Sequence, residues 1–220
     1  MKYNDNNAET LLKTDKAIFY YVWQEMKKQG AKSVDTWFDE ETGEETPGDQ
    51  NKYFGWSTDN DHAARCALGF IMNRGIAEDY DVEEKDASDN DVLATIIESN
   101  PEWNFTSSSA KLVMLLQLIH DQYPVYSWNK AFELYQKDFD ENGRFTGLDG
   151  MEYVNEGEYE IHVKNRSFVL DSFPACAVRD MIRNRMDGIN STNNDECEAP
   201  KDILSQVLSE VSSEKKEELV

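Results

Sequence analysis

The spacing of apolar residues predicts that the chain is mainly helical. Between residues 8 and 29 apolar side chains recur at steps of three and four, which places them on one face of a helix, and Gly30 follows as a helix stop. The segment 107–123 is apolar around its whole circumference, which predicts the central buried helix. Similar spacing predicts further helices over residues 61–73, 92–97, 127–137 and 174–186.

Apolar residues begin to recur at every second position only near the C-terminal end of the chain. Residues 158–171 alternate apolar and polar side chains around a short polar turn, which predicts a β-hairpin. Residues 39–60 have no periodicity and are rich in charged and turn-forming residues, which predicts a mobile loop. The expected fold class is therefore α+β, predominantly α, with a helical core and one β-hairpin near residues 158–171.

The C-terminal part of the chain differs from the rest in composition. Residues 1–186 are expected to form a single globular domain. Residues 187–200 have almost no apolar content, and apolar residues then return at one-turn spacing. We therefore expect residues 187–220 to be an acidic linker and tail with a short amphipathic helix, which would be marginal in isolation.

The distribution of charge says more about the partners of this protein than the overall composition does. The 220 residues include 44 acidic and 22 basic side chains, a formal net charge of −22. Three segments carry this excess, namely 35–61 with a net charge of −8, 78–102 with −9 and 187–220 with −6. Binding to nucleic acid through phosphates is disfavoured because it needs clustered lysine and arginine. An acidic surface instead favours a basic protein partner.

The sequence also bears on location. Its longest apolar runs fall well short of a membrane span, and residues 1–7 are polar, so no membrane association is expected and a cytoplasmic location is predicted. The three cysteines, Cys66, Cys176 and Cys197, are widely spaced, which fits neither a disulfide framework nor a zinc motif.

One constellation could support thiol chemistry. Cys66 falls in a predicted helix, His162 on a predicted strand and Asp171 at the end of the paired strand. Papain-like and transglutaminase-like enzymes use a helix-borne cysteine, an imidazole and an orienting carboxylate in this order. A two-residue turn at Asn165 and Arg166 would place His162 opposite Val169 and Asp171 diagonally within reach. The alternative is a buried cysteine that packs as a small apolar residue and a histidine on an exposed strand face.

A second constellation resembles a calcium loop. Residues 138–149 place Asp138, Asp140, Asn142 and Asp149 at positions 1, 3, 5 and 12 of an EF-hand-like loop, with Gly143 at position 6. Position 12 is aspartate, whose shorter side chain makes bidentate ligation harder. The alternative is a tight turn at the Asn-Gly pair. Calcium is the one cofactor that the sequence suggests.

The run Cys66-Ala67-Leu68-Gly69, together with Trp128-Asn129 before a later helix, resembles a family of small uncharacterised proteins of bacteria and their phages. The resemblance covers residues 8–137. No activity is attached to that family, so it implies only that Cys66 and Gly69 are packing residues.

These observations favour a non-enzymatic acidic interaction protein, in one version a phage accessory protein that binds or blocks a basic host partner. The thiol enzyme with Cys66, His162 and Asp171 and the single-loop calcium protein are the two alternatives.

Overall fold

The fold is α+β and predominantly helical in the computed structural model of the chain. The structure describes residues 12–38, 42, 45–58, 62–82, 89–149, 157–171 and 175–190. The α-helices are α1 (Asp15–Gln29), α2 (Arg74–Asp79), α3 (Asp89–Ser99), α4 (Ser107–Gln122), α5 (Trp128–Tyr135) and α6 (Ala175–Asn190). The strands are β1 (Ser33–Phe38), β2 (Glu45–Asn51), β3 (Phe54–Ser57), β4 (Ala63–Arg65), β5 (Glu158–Val163) and β6 (Arg166–Asp171). Short 3₁₀ turns cover Leu68–Phe70 and Val125–Ser127.

Helix α4 is the central helix, as the sequence predicts. Leu112, Leu115, Leu116 and Ile119 are fully buried along it. Helices α1, α5 and α6 pack around it, and strand β6 lies against its first turns. The helix begins with a capping box, in which the Ser109 hydroxyl accepts a hydrogen bond from the Thr106 backbone N–H at 3.0 Å.

Aromatic side chains join α1 to α5. The Trp23 ring stacks on the Phe132 ring at 5.5 Å between centroids, and Phe19 meets Phe132 edge-on at 5.2 Å. Offset stacking and edge-on contacts are the geometries that aromatic quadrupoles favour. The predicted apolar face of the first helix is therefore the face that builds this part of the core.

The helix boundaries differ in part from the prediction. Helix α1 begins at Asp15 rather than near residue 8, because Thr14 caps it by accepting the Ala17 N–H at 3.2 Å. Gly30 ends it with a φ of 66°, as expected. Helix α6 runs to Asn190, past the predicted end at residue 186. The predicted tail helix lies outside the described residues.

A four-stranded antiparallel sheet in the order β2-β1-β3-β4 was not predicted. The expected loop over residues 39–60 is wrong for β2 and β3. Strand β2 is an edge strand that contains Pro47 and Gly48, and edge strands tolerate residues that a central strand would exclude. This edge of the sheet forms through backbone hydrogen bonds. Such pairing produces no pattern of apolar side chains in the sequence.

The predicted helix over residues 61–73 is also wrong. The segment is β4 followed by the Leu68–Phe70 turn, and Gly75, expected to end the helix, lies in the first turn of α2. Ala64, Ala67 and Leu68 have the spacing of a helix face. They are all buried, but Ala64 belongs to β4 and Leu68 to the turn that follows. Gly69 makes this turn fit, because a Cβ there would lie 2.0 Å from the Tyr53 carbonyl oxygen. Cys66, directly after β4, and Gly69, in this turn, are both buried, in line with packing roles.

A buried carboxylate connects the helical body. Asp15, only 3% exposed, accepts hydrogen bonds at Oδ1 from Trp103 Nε1 (2.8 Å) and Ser109 Oγ (2.6 Å). Its Oδ2 accepts the Phe145 backbone N–H at 2.9 Å. Within the described residues no lysine or arginine pairs with it. Three donors and the start of α1 therefore stabilise this charge.

We expect Asp15→Asn to lower the free energy of unfolding by about 2–4 kcal/mol, because an amide turns one acceptor oxygen into a donor that faces another donor. Urea denaturation measures the change. The control is Asp180→Asn on the exposed face of α6, whose ion pair with Arg183 spans 3.6 Å. It should change stability by less than about 0.5 kcal/mol. Equal effects of the two variants would contradict the role given to Asp15.

Gly69→Ala should destabilise the protein by about 1–3 kcal/mol, since the added Cβ collides with backbone that cannot move freely. Gly75→Ala is the matched control, because a Cβ there meets only Asn73 Oδ1 at 3.4 Å, and the helical position favours alanine. Thermal melting of both variants tests the difference. A Gly69→Ala protein as stable as wild type would show that the turn is not constrained as described.

Candidate functional site

The Cys66 thiol is buried and protonated. It lies directly after β4 instead of in a helix, is 1% exposed, and donates to Gln117 Oε1 at 3.5 Å. Burial raises the pKa of Cys66 to about 12, and the nearby negative charge of Asp121 adds to this. A thiol with such a pKa is almost entirely neutral at physiological pH, whereas a nucleophilic cysteine needs thiolate.

His162 and Asp171 lie on the hairpin, which forms where it was predicted but with another turn. His162 pairs with Ser167, and Lys164-Asn165 form the turn, so Val169 pairs with Glu160 and not with His162. The His162 Nδ1 is 2.9 Å from Ser167 Oγ. The predicted register is wrong because Lys164 takes a positive φ of 53°, which moves the turn by one residue. Asp171, opposite Glu158, is not a diagonal neighbour of His162.

Helix α4 gives a measure of the separation between the Cys66 thiol and Asp171 on strand β6. Cys66 contacts Gln117, whereas the Asp171 backbone N–H donates to Ser107 Oγ at 3.1 Å. Ten residues of helix separate Ser107 from Gln117, roughly 15 Å. The structure therefore does not bring Cys66, His162 and Asp171 together.

The carboxylates of the EF-hand-like loop form ion pairs and hydrogen bonds with other groups of the protein. Asp138 pairs with Arg185, and Arg144 lies between Asp140 (3.4 Å) and Asp149 (3.1 Å). Asp140 Oδ1 also accepts the backbone N–H of Asn142 at 3.0 Å. Two arginines thus occupy three of the predicted calcium ligands. Across the described residues no group of three or more His, Cys, Asp or Glu side chains could hold a metal ion.

The same loop has a structural role at the start of α1. Gly143, with a φ of 73°, donates its N–H to the Asp140 carbonyl and accepts the Lys16 N–H at 2.9 Å. A Cβ at Gly143 would crowd Thr14, with its nearest atoms at 3.1 Å. The loop therefore satisfies a free N–H in the first turn of α1, and this requires glycine at the position that an EF-hand also reserves for glycine.

A polar network beside Cys66 was missed by the sequence analysis. Gln117 Nε2 donates to Asp121 Oδ2 at 2.6 Å, and His120 Nδ1 lies 2.7 Å from Asp121 Oδ1. The Lys32 ammonium donates to the Asp121 carbonyl at 2.9 Å, and burial lowers the pKa of Lys32. His120 is fully buried and stacks on Trp128 at 5.3 Å. The i, i+4 spacing of Gln117 and Asp121 was the signal available in the sequence.

A surface pocket of about 740 Å³ lies on the outer face of the four-stranded sheet. Trp56 pairs with Val34 of β1 and with Ala63 of β4, and Phe54 pairs with Arg65. Paired residues share a face, and so do residues two apart on one strand, so these five side chains point the same way. The alternation of Phe54 and Trp56 around a glycine was the signal for this surface.

Cationic side chains surround the aromatic ones in this pocket. The guanidinium carbons of Arg65 and Arg74 lie 5.6 Å and 5.8 Å from the centroid of the Phe54 ring. Lys52 also lines the pocket. Asp35 is the acidic residue that lines it, and its Oδ1 accepts the Gln50 N–H at 3.1 Å. Among the described parts of the chain, this pocket best combines exposed aromatic surface with charge.

No protein-family model, curated protein or solved structure gives a match to this chain. The resemblance to the bacterial and phage family therefore stays a prediction. Within the ranges that the structure describes, every helix is too short or too polar to cross a membrane.

The Cys66 thiol should resist iodoacetamide in the folded protein at neutral pH and react after urea denaturation, as read by site-resolved mass spectrometry. Stability should also fall between about pH 9 and 12, because the exposed thiol of the unfolded chain ionises while the buried thiol stays neutral. The slope should be about 1.4 kcal/mol per pH unit steeper in wild type than in Cys66→Ser. Rapid alkylation of folded protein would instead support the thiol-enzyme alternative.

Proposed function

We propose that this protein is a non-enzymatic interaction protein that uses its acidic segments to bind a basic protein partner. The observation that carries the proposal is the segregation of charge. Acidic residues outnumber basic ones by 44 to 22, and most of the net negative charge belongs to residues outside the described ranges. The described body, with its paired arginines and lysines, is much closer to neutral.

The hairpin adds carboxylates on a regular scaffold. Glu158 lies directly across from Asp171, and Glu160 lies two residues further along the same exposed strand face. Like charges directly opposite each other destabilise a strand pair. A cationic partner would relieve that repulsion, so binding of a basic surface here is favoured by the charges that the fold has already placed together.

The positions of the alternative sites also support a binding role. The Cys66 thiol is neutral and distant from Asp171, and two arginines neutralise the carboxylates of the 138–149 loop. A phage accessory protein that acts on a host protein in the bacterial cytoplasm is a narrower version of the proposal, and it rests on the family resemblance alone. The competing account is that the acidic segments only maintain solubility.

A charge-neutralised variant tests the proposal. Replacing Glu83, Glu84 and Asp86 with the corresponding amides should reduce recovery of a basic protein in a low-salt pull-down by about tenfold. Recovery of the basic protein by the wild-type chain should also fall steeply as ionic strength rises, because salt screens the negative charges of residues 78–102.

The matched control removes the same number of charges from the body, away from the hairpin face, at Glu141, Asp149 and Asp180, and should leave recovery of the basic protein unchanged. A comparable loss in the control would show that overall net charge, and not the acidic segment, determines recovery. If wild type recovers no basic protein at low salt, the solubility account holds and the proposal fails.

A further inference from the structure

The hairpin packs on the body through one face and leaves the other face exposed. Strand β5 lies against α3, and strand β6 lies against α4. Three cross-strand pairs form the exposed face, because paired residues and residues two apart on a strand point the same way. These pairs are Glu158 with Asp171, Glu160 with Val169, and His162 with Ser167. All of these side chains are exposed except that of Asp171, which is half-buried.

Two carboxylates at one end of this face, Glu158 and Asp171, form an acidic pair at the closest type of cross-strand position. The two-residue turn makes Val163 and Arg166 a hydrogen-bonded pair, and bonded and non-bonded pairs alternate from there. The acidic pair is therefore a non-hydrogen-bonded pair, in which the Cα atoms lie about 4.5 Å apart. Two negative charges this close repel each other, and Glu160, diagonal to Asp171, adds a third.

The cations of the hairpin itself do not neutralise the acidic pair. Lys164 Nζ forms an ion pair with Glu98 of α3 at 2.7 Å. The Arg166 guanidinium lies over the Phe168 ring, on the other face of the hairpin, at 4.7 Å. Among the described residues, no lysine, arginine or histidine lies within ion-pair distance of either carboxylate of the acidic pair. The negative charge at this end of the face is therefore available to a cation from outside the chain.

An exposed apolar side chain lies beside the acidic pair. Val169 is 59% exposed, one of three large apolar side chains exposed in the described part of the chain, and it lies two residues from Asp171 along β6. The described residues contain no group of three or more His, Cys, Asp or Glu side chains that could hold a metal ion, which favours an organic cation here. Arginine combines a guanidinium group that binds carboxylate oxygens in pairs with an aliphatic stem that covers apolar surface.

We propose that the exposed hairpin face binds an arginine side chain of the basic protein partner, with the guanidinium group against the acidic pair and the aliphatic stem on Val169. The inference rests on the proposed function and adds to it a place of contact and a residue type. The acidic segments attract a basic partner over a distance, whereas the hairpin holds one side chain at short range. Lysine fits less well, because its ammonium is a strongly hydrated point charge that lacks the planar fork of donors.

Fluorescence anisotropy with a labelled peptide tests the inference on the full chain. The probe is a short peptide with blocked ends that alternates arginine and valine. It should bind at low ionic strength with a dissociation constant below about 1 mM. A peptide of the same length that alternates lysine and valine should bind about threefold more weakly. Equal binding of the two peptides would overturn the assignment of arginine.

Variants identify the hairpin face as the site. Glu158→Gln should weaken binding of the arginine peptide by about fivefold and also raise the melting temperature, because it removes both a ligand group and a like-charge repulsion. Weaker binding together with higher stability cannot result from unfolding. Val169→Ser should weaken binding by about threefold, since the arginine stem loses apolar contact.

The matched control is Glu141→Gln, which changes the net charge by the same amount at an exposed residue of the 138–149 loop and should bind the peptide as wild type does. The inference fails if Glu158→Gln and Glu141→Gln bind the arginine peptide equally. A melting temperature of Glu158→Gln below that of wild type would overturn the premise that the acidic pair lacks a cation.

Failure of this inference and failure of the proposed function give different results. If the amide variant at Glu83, Glu84 and Asp86 loses recovery of the basic protein, but Glu158→Gln binds the peptide as wild type does, only the hairpin site is overturned. If the wild-type chain recovers no basic protein, but binding of the arginine peptide still depends on Glu158, the hairpin site stands and only the proposed function fails.

Discussion

The buried carboxylate of Asp15 is the interaction on which the helical body depends. One side chain joins the first turn of α1, the Trp103 indole, the Ser109 hydroxyl at the start of α4 and the backbone at Phe145. A buried charge without a cation is costly unless donors surround it. The folded chain supplies those donors only when all four segments are in place. The carboxylate therefore favours one arrangement of helices over other compact packings of the same apolar faces.

The same constraint explains why the 138–149 loop resembles a calcium site. The loop must turn tightly to present the Phe145 N–H to Asp15 and the Gly143 carbonyl to Lys16. Aspartate, asparagine and glycine are the residues that tight turns favour, and EF-hands use them for a related reason. This loop and an EF-hand differ in what balances the charge of their carboxylates. Here Arg144 and Arg185 neutralise them, and no linear motif of the loop includes Arg185.

Sequence patterns predicted the elements that bury one continuous face. Helices α1, α3, α4, α5 and α6 and the hairpin were identified because each has a regular apolar period. The four-stranded sheet was missed because β2 contains Pro47, Gly48 and charged residues, and its pairing is made by the backbone. Cys66 was predicted to lie in a helix, but it follows β4 and donates to Gln117, fifty-one residues away. The register of His162 depended on a single positive φ at Lys164, which sequence does not specify.

The arrangement of charge allows one chain to carry surfaces of opposite sign. At physiological ionic strength the reach of an exposed charge is about 8 Å. The acidic segment 35–61 itself contributes Asp35, Lys52 and Trp56 to the sheet-face pocket. Within the pocket, the guanidinium groups of Arg65 and Arg74 both lie over the Phe54 ring. Net charge thus governs encounters with large partners, whose surfaces span many Debye lengths. Local geometry governs a small ligand, which experiences only its immediate neighbours, and the two forms of recognition can therefore differ in sign on the same molecule.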